Sequence, residues 1–169
     1  MMIPHRKVLV AMSGGVDSSV AAALLVEEGY QVEGVMLRLW SEDEKKRENA
    51  CCTTESTKIA HLTAQQLGFP FQILDAKEQF RTHVVQYFLD EYSRGLTPNP
   101  CIVCNRTIKW GFLLDYARKN GYDAIASGHY ARIKQNTRGE LELWRGVDLK
   151  KDQSYMLHAL SQEQLTHAL

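Results

Sequence analysis

Ser13-Gly14-Gly15-Val16-Asp17-Ser18-Ser19 stands between the apolar run Val8-Leu9-Val10-Ala11-Met12 and a helical run from Val20 to Glu28. A short β-branched run, two glycines and then Ala21-Ala22-Ala23-Leu24-Leu25 read as strand, tight turn and helix. Glycines in such a turn let backbone amides come close to a ligand, and the helix that follows presents unpaired N–H groups at the positive end of its dipole. The stretch is therefore a candidate anion site. The two common phosphate fingerprints, Gly-x-x-x-x-Gly-Lys and Gly-x-Gly-x-x-Gly, are both absent.

A Ser-Gly-Gly-Val-Asp-Ser-Ser turn directly after the first strand resembles the pyrophosphate loop of the ATP pyrophosphatases. The resemblance implies that the loop holds the β,γ-phosphates of ATP, and that a substrate oxygen is adenylated with loss of pyrophosphate. Serine hydroxyls and loop amides would bind phosphate oxygens, and Asp17 would stand where Mg²⁺ or a helix cap needs a carboxylate. The competing reading is an ordinary glycine turn with Asp17 as a helix cap.

The chain has 169 residues, of which 44% are hydrophobic and 24% charged, enough to bury a core in ordinary globular proportions. Lys+Arg 20 against Asp+Glu 20 gives no net charge, so no global basic field points to a nucleic acid, and any RNA binding has to be local. The Ser-Gly-Gly turn interrupts the first apolar stretch too early for a secretory signal, and nothing approaches membrane-spanning length. A cytoplasmic protein with reduced thiols is expected. Cys51, Cys52, Cys101 and Cys104 then read as catalytic, metal-binding or incidental rather than as a disulfide framework.

Further along, 31–40 reads as a second strand, 41–49 as a charged solvated loop that can also serve as a lid, and Thr54 with Thr57 as a partial cap for a helix ending at Gly68. Residues 69–74 read as a third strand and 79–92 as a helix, with His61 and His83 as structural histidines. The proline-marked loop 93–100 leads into Cys101-Ile102-Val103-Cys104-Asn105, residues 108–118 read as a helix, and 123–127 as a fourth strand ending in Gly128-His129. Residues 130–134 and 141–144 flank Asn136-Thr137-Arg138-Gly139 as a hairpin. Strands alternating with helices imply an α/β fold, a doubly wound parallel sheet, with that small β-hairpin near the C-terminal end. Ligands of such sheets bind beyond the carboxyl ends of the strands near the switch point, where Ser13, Leu37 and Gly128 are expected to meet. Residues 1–150 are expected to form the nucleotide-binding domain and 151–169 to open a following segment. Ser161 and Gln164 form a capping-box pair, and the apolar face begun by Leu165, Ala168 and Leu169 has no stop signal. The helix is expected to run past Leu169, so the chain reads as a fragment.

Cys101-Ile102-Val103-Cys104 has the spacing of half a metal site, but adjacent Cys51 and Cys52 would chelate one ion poorly and no second Cys-x-x-Cys occurs, so no resident metal is expected. A three-cysteine iron–sulfur site remains an alternative. Cys104 can instead be a nucleophile, read as preceding a helix whose dipole favours thiolate.

The first loop, the segment Gly95-Leu-Thr-Pro-Asn-Pro-Cys-Ile-Val-Cys-Asn-Arg-Thr-Ile-Lys-Trp110, the Gly128-His129-Tyr130 turn and Lys151-Asp152-Gln153-Ser154-Tyr155 occur in an order that together resembles the tRNA-specific 2-thiouridylases. The resemblance implies an adenine nucleotide alpha hydrolase fold of the pyrophosphate-loop type, and ATP-dependent 2-thiolation of the wobble uridine of tRNA. In that chemistry ATP adenylates uracil O2 and a cysteine persulfide, loaded by a cysteine desulfurase or sulfur-relay protein, delivers sulfur to C2. Ala11, Met12, Ser13, Gly14, Gly15, Val16, Asp17, Ser18, Leu37 and Gly128 match the ATP positions. Asn99, Pro100 and Cys101 match the loop that receives the target base, Lys151, Asp152 and Gln153 a tRNA-contact segment, and Cys104 the catalytic nucleophile. Many members carry Asp where this chain has Cys101. The partner cysteine belongs to a later segment of the pattern, and Cys51 and Cys52 are out of place to replace it, reading as buried small residues. The resemblance covers essentially all of this chain and about the first half of a typical member. A noncatalytic nucleotide-binding module is the reading from another class.

Overall fold

Lys7–Ala11 forms β1 because its Val8-Leu9-Val10 core is fully buried on both faces, the environment of a strand with parallel neighbours on either side. The computed structural model describes residues 6–40 and 53–169. From β1 the chain passes through α1 (Val16–Glu27) to β2 (Gln31–Arg38), then through α2 (Thr54–Leu67) to β3 (Phe71–Asp75). A helical run follows, with α3 (Lys77–Phe80), a π-wound stretch Arg81–Val85 and α4 (Gln86–Ser93). A second run comprises α5 (Pro100–Cys104), a π-wound stretch Asn105–Phe112 and α6 (Leu113–Lys119), and leads to β4 (Ala124–Ala126). The strands β5 (Ala131–Gln135) and β6 (Leu141–Arg145), a 3₁₀ turn Ser154–Leu157 and α7 (Gln162–Thr166) complete it.

The four strands β1 to β4 form one parallel sheet in the order β3-β2-β1-β4, with Val8 opposite Val32 on one side and Ala124 on the other. This is the expected α/β sheet. The order reverses between β1 and β4, which puts the switch point at the carboxyl end of β1. Val8, Val10, Met12, Val32, Met36, Ala124 and Ala126 form a core with Ala22, Ala60, Ala64 and Phe69. β5 and β6 pair antiparallel around the Asn136–Gly139 turn, as expected of the hairpin.

By compactness the chain divides into two units, one of Met1–Lys77 with Ala117–Gly128, the other of Glu78–Tyr116 with His129–Leu169. The four-stranded sheet belongs to the first; the hairpin, the Cys101–Cys104 segment and 151–169 belong to the second. No helix among the described residues is long and apolar enough to cross a membrane. The charged stretch 41–49 and the pair Cys51 and Cys52 lie outside the described residues.

Several expected boundaries shift, each for a local reason. The first helix begins at Val16 rather than Val20, because Gly15 in extended conformation already serves as its N-cap. The α2 cap is Thr53 rather than Thr54: the Thr53 hydroxyl accepts from Ser56 N at 3.0 Å and the Ser56 hydroxyl accepts from Thr53 N at 2.9 Å, a full capping box in which serine takes the place of the usual Glu or Gln. Gly68 closes α2 in the left-handed conformation, as expected. The third strand starts at Phe71, since Phe69 is drawn into the core below it. The helix expected at 108 begins at Pro100, with Asn99 as its cap and proline in its first turn. Pro98 and Pro100 mark a loop in the sequence, which hides that Pro100 already occupies the first helical turn. Helix α7 ends at Thr166 with His167 as its C-cap, so the face begun by Leu165 does not continue as helix to Leu169.

Candidate nucleotide and thiol sites

The turn after β1 is built around short backbone contacts. Gly14 has φ 76°, and a Cβ on it would lie 2.3 Å from the carbonyl oxygen of Ser56, in the first turn of α2. Gly128, just past β4, packs so closely that a Cβ there would lie 2.5 Å from both Asp17 C and Ser18 N. The segment after β4 is thus pressed against the start of α1, and both glycines are dictated by backbone approaching backbone. Gly128 approaches Asp17 and Ser18, Ser13 contacts Gly15 and Ser18, and Leu37 stands near the carboxyl end of β2, opposite Leu74 of β3.

No side chain caps α1, because its N-cap is Gly15. Asp17 lies exposed in the first helical turn, so the alternative that made it the cap is not realised. Ser18 is buried at 5% exposure and works inside the loop: its Oγ accepts from Ser13 N at 3.3 Å and donates to Gly15 O at 3.1 Å. The Ser19 hydroxyl also donates to Gly15 O, at 3.0 Å. Ser13 is exposed, and its Oγ accepts from Gly15 N at 3.4 Å. Ala11 and Met12 lead into the turn, with Met12 N donating to Val35 O at 2.8 Å. The α1 end with its exposed carboxylate fits a polyphosphate and its counter-cation. The contact with Ser56 had no signal in the sequence, because it joins segments about forty residues apart.

In the second unit Asn99 accepts from Ile102 N at 3.3 Å through Oδ1, and Pro100 opens the helix. Cys101 is exposed in the first turn; Cys104 is half-buried a turn further on. Neither is in a disulfide. The expectation that Cys104 precedes a helix is corrected, since it lies inside one, and the unpaired N–H groups of the helix start stand beside Cys101 instead. Among the described residues no group of three or more His, Cys, Asp or Glu is placed to hold a metal.

Lys151, Asp152 and Gln153 divide by role. Asp152 accepts from Gly146 N at 2.9 Å and Ser154 N at 3.2 Å, and its second oxygen accepts from Ser154 Oγ at 3.0 Å. The hydrogen bond from Gly146 N is the main cause holding its carboxyl below the usual range. Gln153 pairs reciprocally with Tyr130, its N donating to Tyr130 O at 2.9 Å and its Oε1 accepting from Tyr130 N at 3.0 Å. Lys151 holds its ammonium 5.4 Å over the Tyr130 ring at the surface. Asp152→Ala is therefore expected to lower the melting temperature with no RNA present, while Lys151→Ala leaves it unchanged; thermal unfolding of the two variants checks this.

His61 lies exposed with its ring edge-on to Phe71, and His83 is exposed, in keeping with structural roles. His129 is different: burial, reinforced by the Lys109 charge, lowers its pKa from 6.5 to about 4. Between these values the unfolded chain binds a proton that the folded chain refuses. Stability is unaffected above pH 6.5 and falls as the pH drops towards 4, by at most about 3 kcal/mol. Urea unfolding at several pH values should show this slope, and His129→Gln should flatten it.

A parallel sheet of order 3-2-1-4, with a glycine turn at its switch point leading into a helix whose N-cap is glycine, defines an α/β domain of the adenine nucleotide alpha hydrolase type. The chain belongs to the tRNA methyl transferase HUP domain family, whose model matches residues 6–169. It is 55% identical over 163 residues to a tRNA-specific 2-thiouridylase MnmA of Chloroflexus aurantiacus, covering 96% of this chain and 45% of that protein. The MnmA of Clostridium perfringens is 48% identical over 166 residues, covering 97% and 46%. The chain thus spans about half the length of the curated relatives it matches. Among solved structures, a glutamine-dependent NAD+ synthetase from Acinetobacter baumannii, in complex with ADP, shares the fold at TM-score 0.52 and 18% identity, over 72% of this chain and 21% of that one.

Proposed function

We propose that this chain is the ATP-binding and adenylating part of a tRNA-uridine 2-sulfurtransferase. The observation that carries the proposal is the start of α1, capped by no side chain, with Gly14 and Gly128 packed against backbone around it. That arrangement suits a leaving pyrophosphate, whose charge the loop amides and helix dipole stabilise as it develops. Ser13, Gly14, Gly15, Val16 and Ser18 shape the phosphate cradle, with Ala11, Met12, Leu37 and Gly128 around the rest of the nucleotide. Asp17 would hold Mg²⁺, which supplies charge neutralisation between the phosphates.

In the proposed reaction uracil O2 attacks the α-phosphorus of ATP and pyrophosphate leaves; a persulfide then delivers sulfur to C2 and AMP departs with the former O2. The persulfide is carried by a partner cysteine that a cysteine desulfurase or sulfur-relay protein loads, and Cys104 is the nucleophile: its thiolate attacks the partner's inner sulfur, the S–S bond breaks so that 2-thiouridine departs, and a disulfide between the two cysteines is left for an external thiol reductant to reopen. Asn99, Pro100 and Cys101 face a uridine withdrawn from the anticodon stack, and Lys151 contacts the tRNA while Asp152 and Gln153 shape that surface. Identity of 48–55% to proteins named tRNA-specific 2-thiouridylase supports the substrate and the chemistry. Incubating the complete gene product with ATP, Mg²⁺, substrate tRNA, a cysteine desulfurase with free cysteine as persulfide donor and a thiol reductant tests the reading. Release of pyrophosphate and AMP that depends on a wobble uridine is expected; ATP binding with no turnover would reduce the protein to a nucleotide-binding module.

A further inference from the structure

The helix that bears Cys104 changes its winding immediately after it, and the change is held from outside. From Asn105 to Phe112 the chain is π-wound, so that Leu113 N reaches back to Ile108 O. At the transition the Thr107 hydroxyl donates to Val103 O at 2.8 Å. Isolated π turns are marginal and persist where other contacts fix them. Here the contacts come from 156–164. Gln164 directs its carboxamide Nε2 to two carbonyls of the π stretch, Trp110 O at 2.7 Å and Arg106 O at 3.1 Å, and its Oε1 accepts from Ser161 N at 3.0 Å. Both hydrogens and the oxygen of the amide are thereby engaged. Buried Asn105 donates through Nδ2 to Met156 O at 3.0 Å.

The helix that supplies Gln164 is itself anchored on its other side. Gln162 accepts from Leu141 N at 2.9 Å and donates to Leu141 O at 2.7 Å, continuing the edge of β6. A residue bonded to carbonyls a turn apart resists the slip from π to α winding, which would rotate everything on one side of the slip relative to the other.

We infer that Gln164 is a positioning residue for Cys104, fixing through the π-wound stretch the direction in which the thiol is presented. The inference rests on the reading of Cys104 as the nucleophile and adds a second role to a residue whose sequence pattern shows only a capping box.

Gln164→Met, equal in length but without donors, tests it in the complete gene product, with Gln164→Glu as a second variant that keeps the acceptor for Ser161 N. The expected result has three parts. Iodoacetamide alkylation, resolved by peptide, changes the Cys104 rate relative to Cys101 at least fivefold. Amide exchange at 109–113 quickens at least tenfold. The kcat for thiolation falls at least tenfold while the KM for ATP stays within twofold. Ser161→Ala, which weakens the cap but leaves the carboxamide, should lower stability and keep kcat within threefold. A folded Gln164 variant whose Cys104-to-Cys101 ratio stays within twofold overturns the inference. Failure of both variants to fold also overturns it, because Gln164 would then serve global stability. Thiolation retained by Cys104→Ser would instead sink the nucleophile reading, while the alkylation and exchange results would still report on the clamp.

Discussion

Replacing Cys104 by serine in the complete gene product is expected to abolish 2-thiouridine formation, by at least about a thousandfold, the order of effect seen when a nucleophile is removed. Serine keeps the shape of a half-buried position, so the fold and nucleotide binding should be intact and ATP titration should give an unchanged Kd. The loss is chemical: a hydroxyl at neutral pH offers almost no anion, whereas a thiol offers a usable fraction of thiolate. The position of Cys104 inside the helix means that activation cannot be credited to the helix start, which Cys101 occupies. Cys101→Ser is therefore the informative companion. A nucleophile at Cys104 predicts that it weakens turnover less than Cys104→Ser does. An iron–sulfur centre predicts equal loss, with a visible absorption band in the anaerobically purified wild-type protein. Mass spectrometry of digested tRNA reads the first comparison, and retained 2-thiouridine in Cys104→Ser would refute the role.

Gly14→Ala is expected to destabilise the first unit by about 3 kcal/mol or more, and to weaken ATP binding at least tenfold. Two penalties coincide. A left-handed φ of 76° costs alanine about 1–2 kcal/mol, and the new methyl would have to displace the backbone of Ser56, which its capping box holds in place. Other glycines separate the two effects. Gly29, with φ 85° and nothing within 4 Å, should show the conformational penalty alone, about 1 kcal/mol. Gly128→Ala lacks the positive φ but forces a methyl against Asp17 and Ser18, so it should impair ATP binding by pushing on the first turn of α1. Urea unfolding and ATP titration of the three variants check the ranking. A Gly14→Ala protein that binds ATP normally would show that the turn is not the phosphate cradle.

The sheet and the turn were legible because their causes are local. Val8-Leu9-Val10 is apolar at every position, which suits a strand buried on both faces, and the two glycines followed by Val16 to Leu25 leave little but a turn and a helix. Gly68, the Asn136–Gly139 hairpin turn and the Ser161–Gln164 cap were equally open to reading, each resting on side chains a few residues apart. The Thr53–Ser56 cap was missed by one residue, because serine replaced the acidic or amide partner the usual pattern looks for. The helix from Pro100 was only half legible, since the prolines at 98 and 100 read as loop while Pro100 in fact sits in the first helical turn behind the Asn99 cap.

What the sequence by itself determined is the kind of sheet, the turn at its switch point and the family, all properties of residue type and order within short windows. Only the tertiary structure decided that Gly14 must be glycine because Ser56 lies against it, that Gly128 closes on the first turn of α1, that Asp152 and Gln153 are occupied in holding the chain beside the hairpin, and that Gln164 grips the helix of Cys104. The physical reason is common to all four. Each depends on a contact between a backbone group and a residue distant in the chain or across a turn, and a backbone carbonyl or amide has the same chemistry whatever the residue, so it leaves no mark on the sequence that would name its partner.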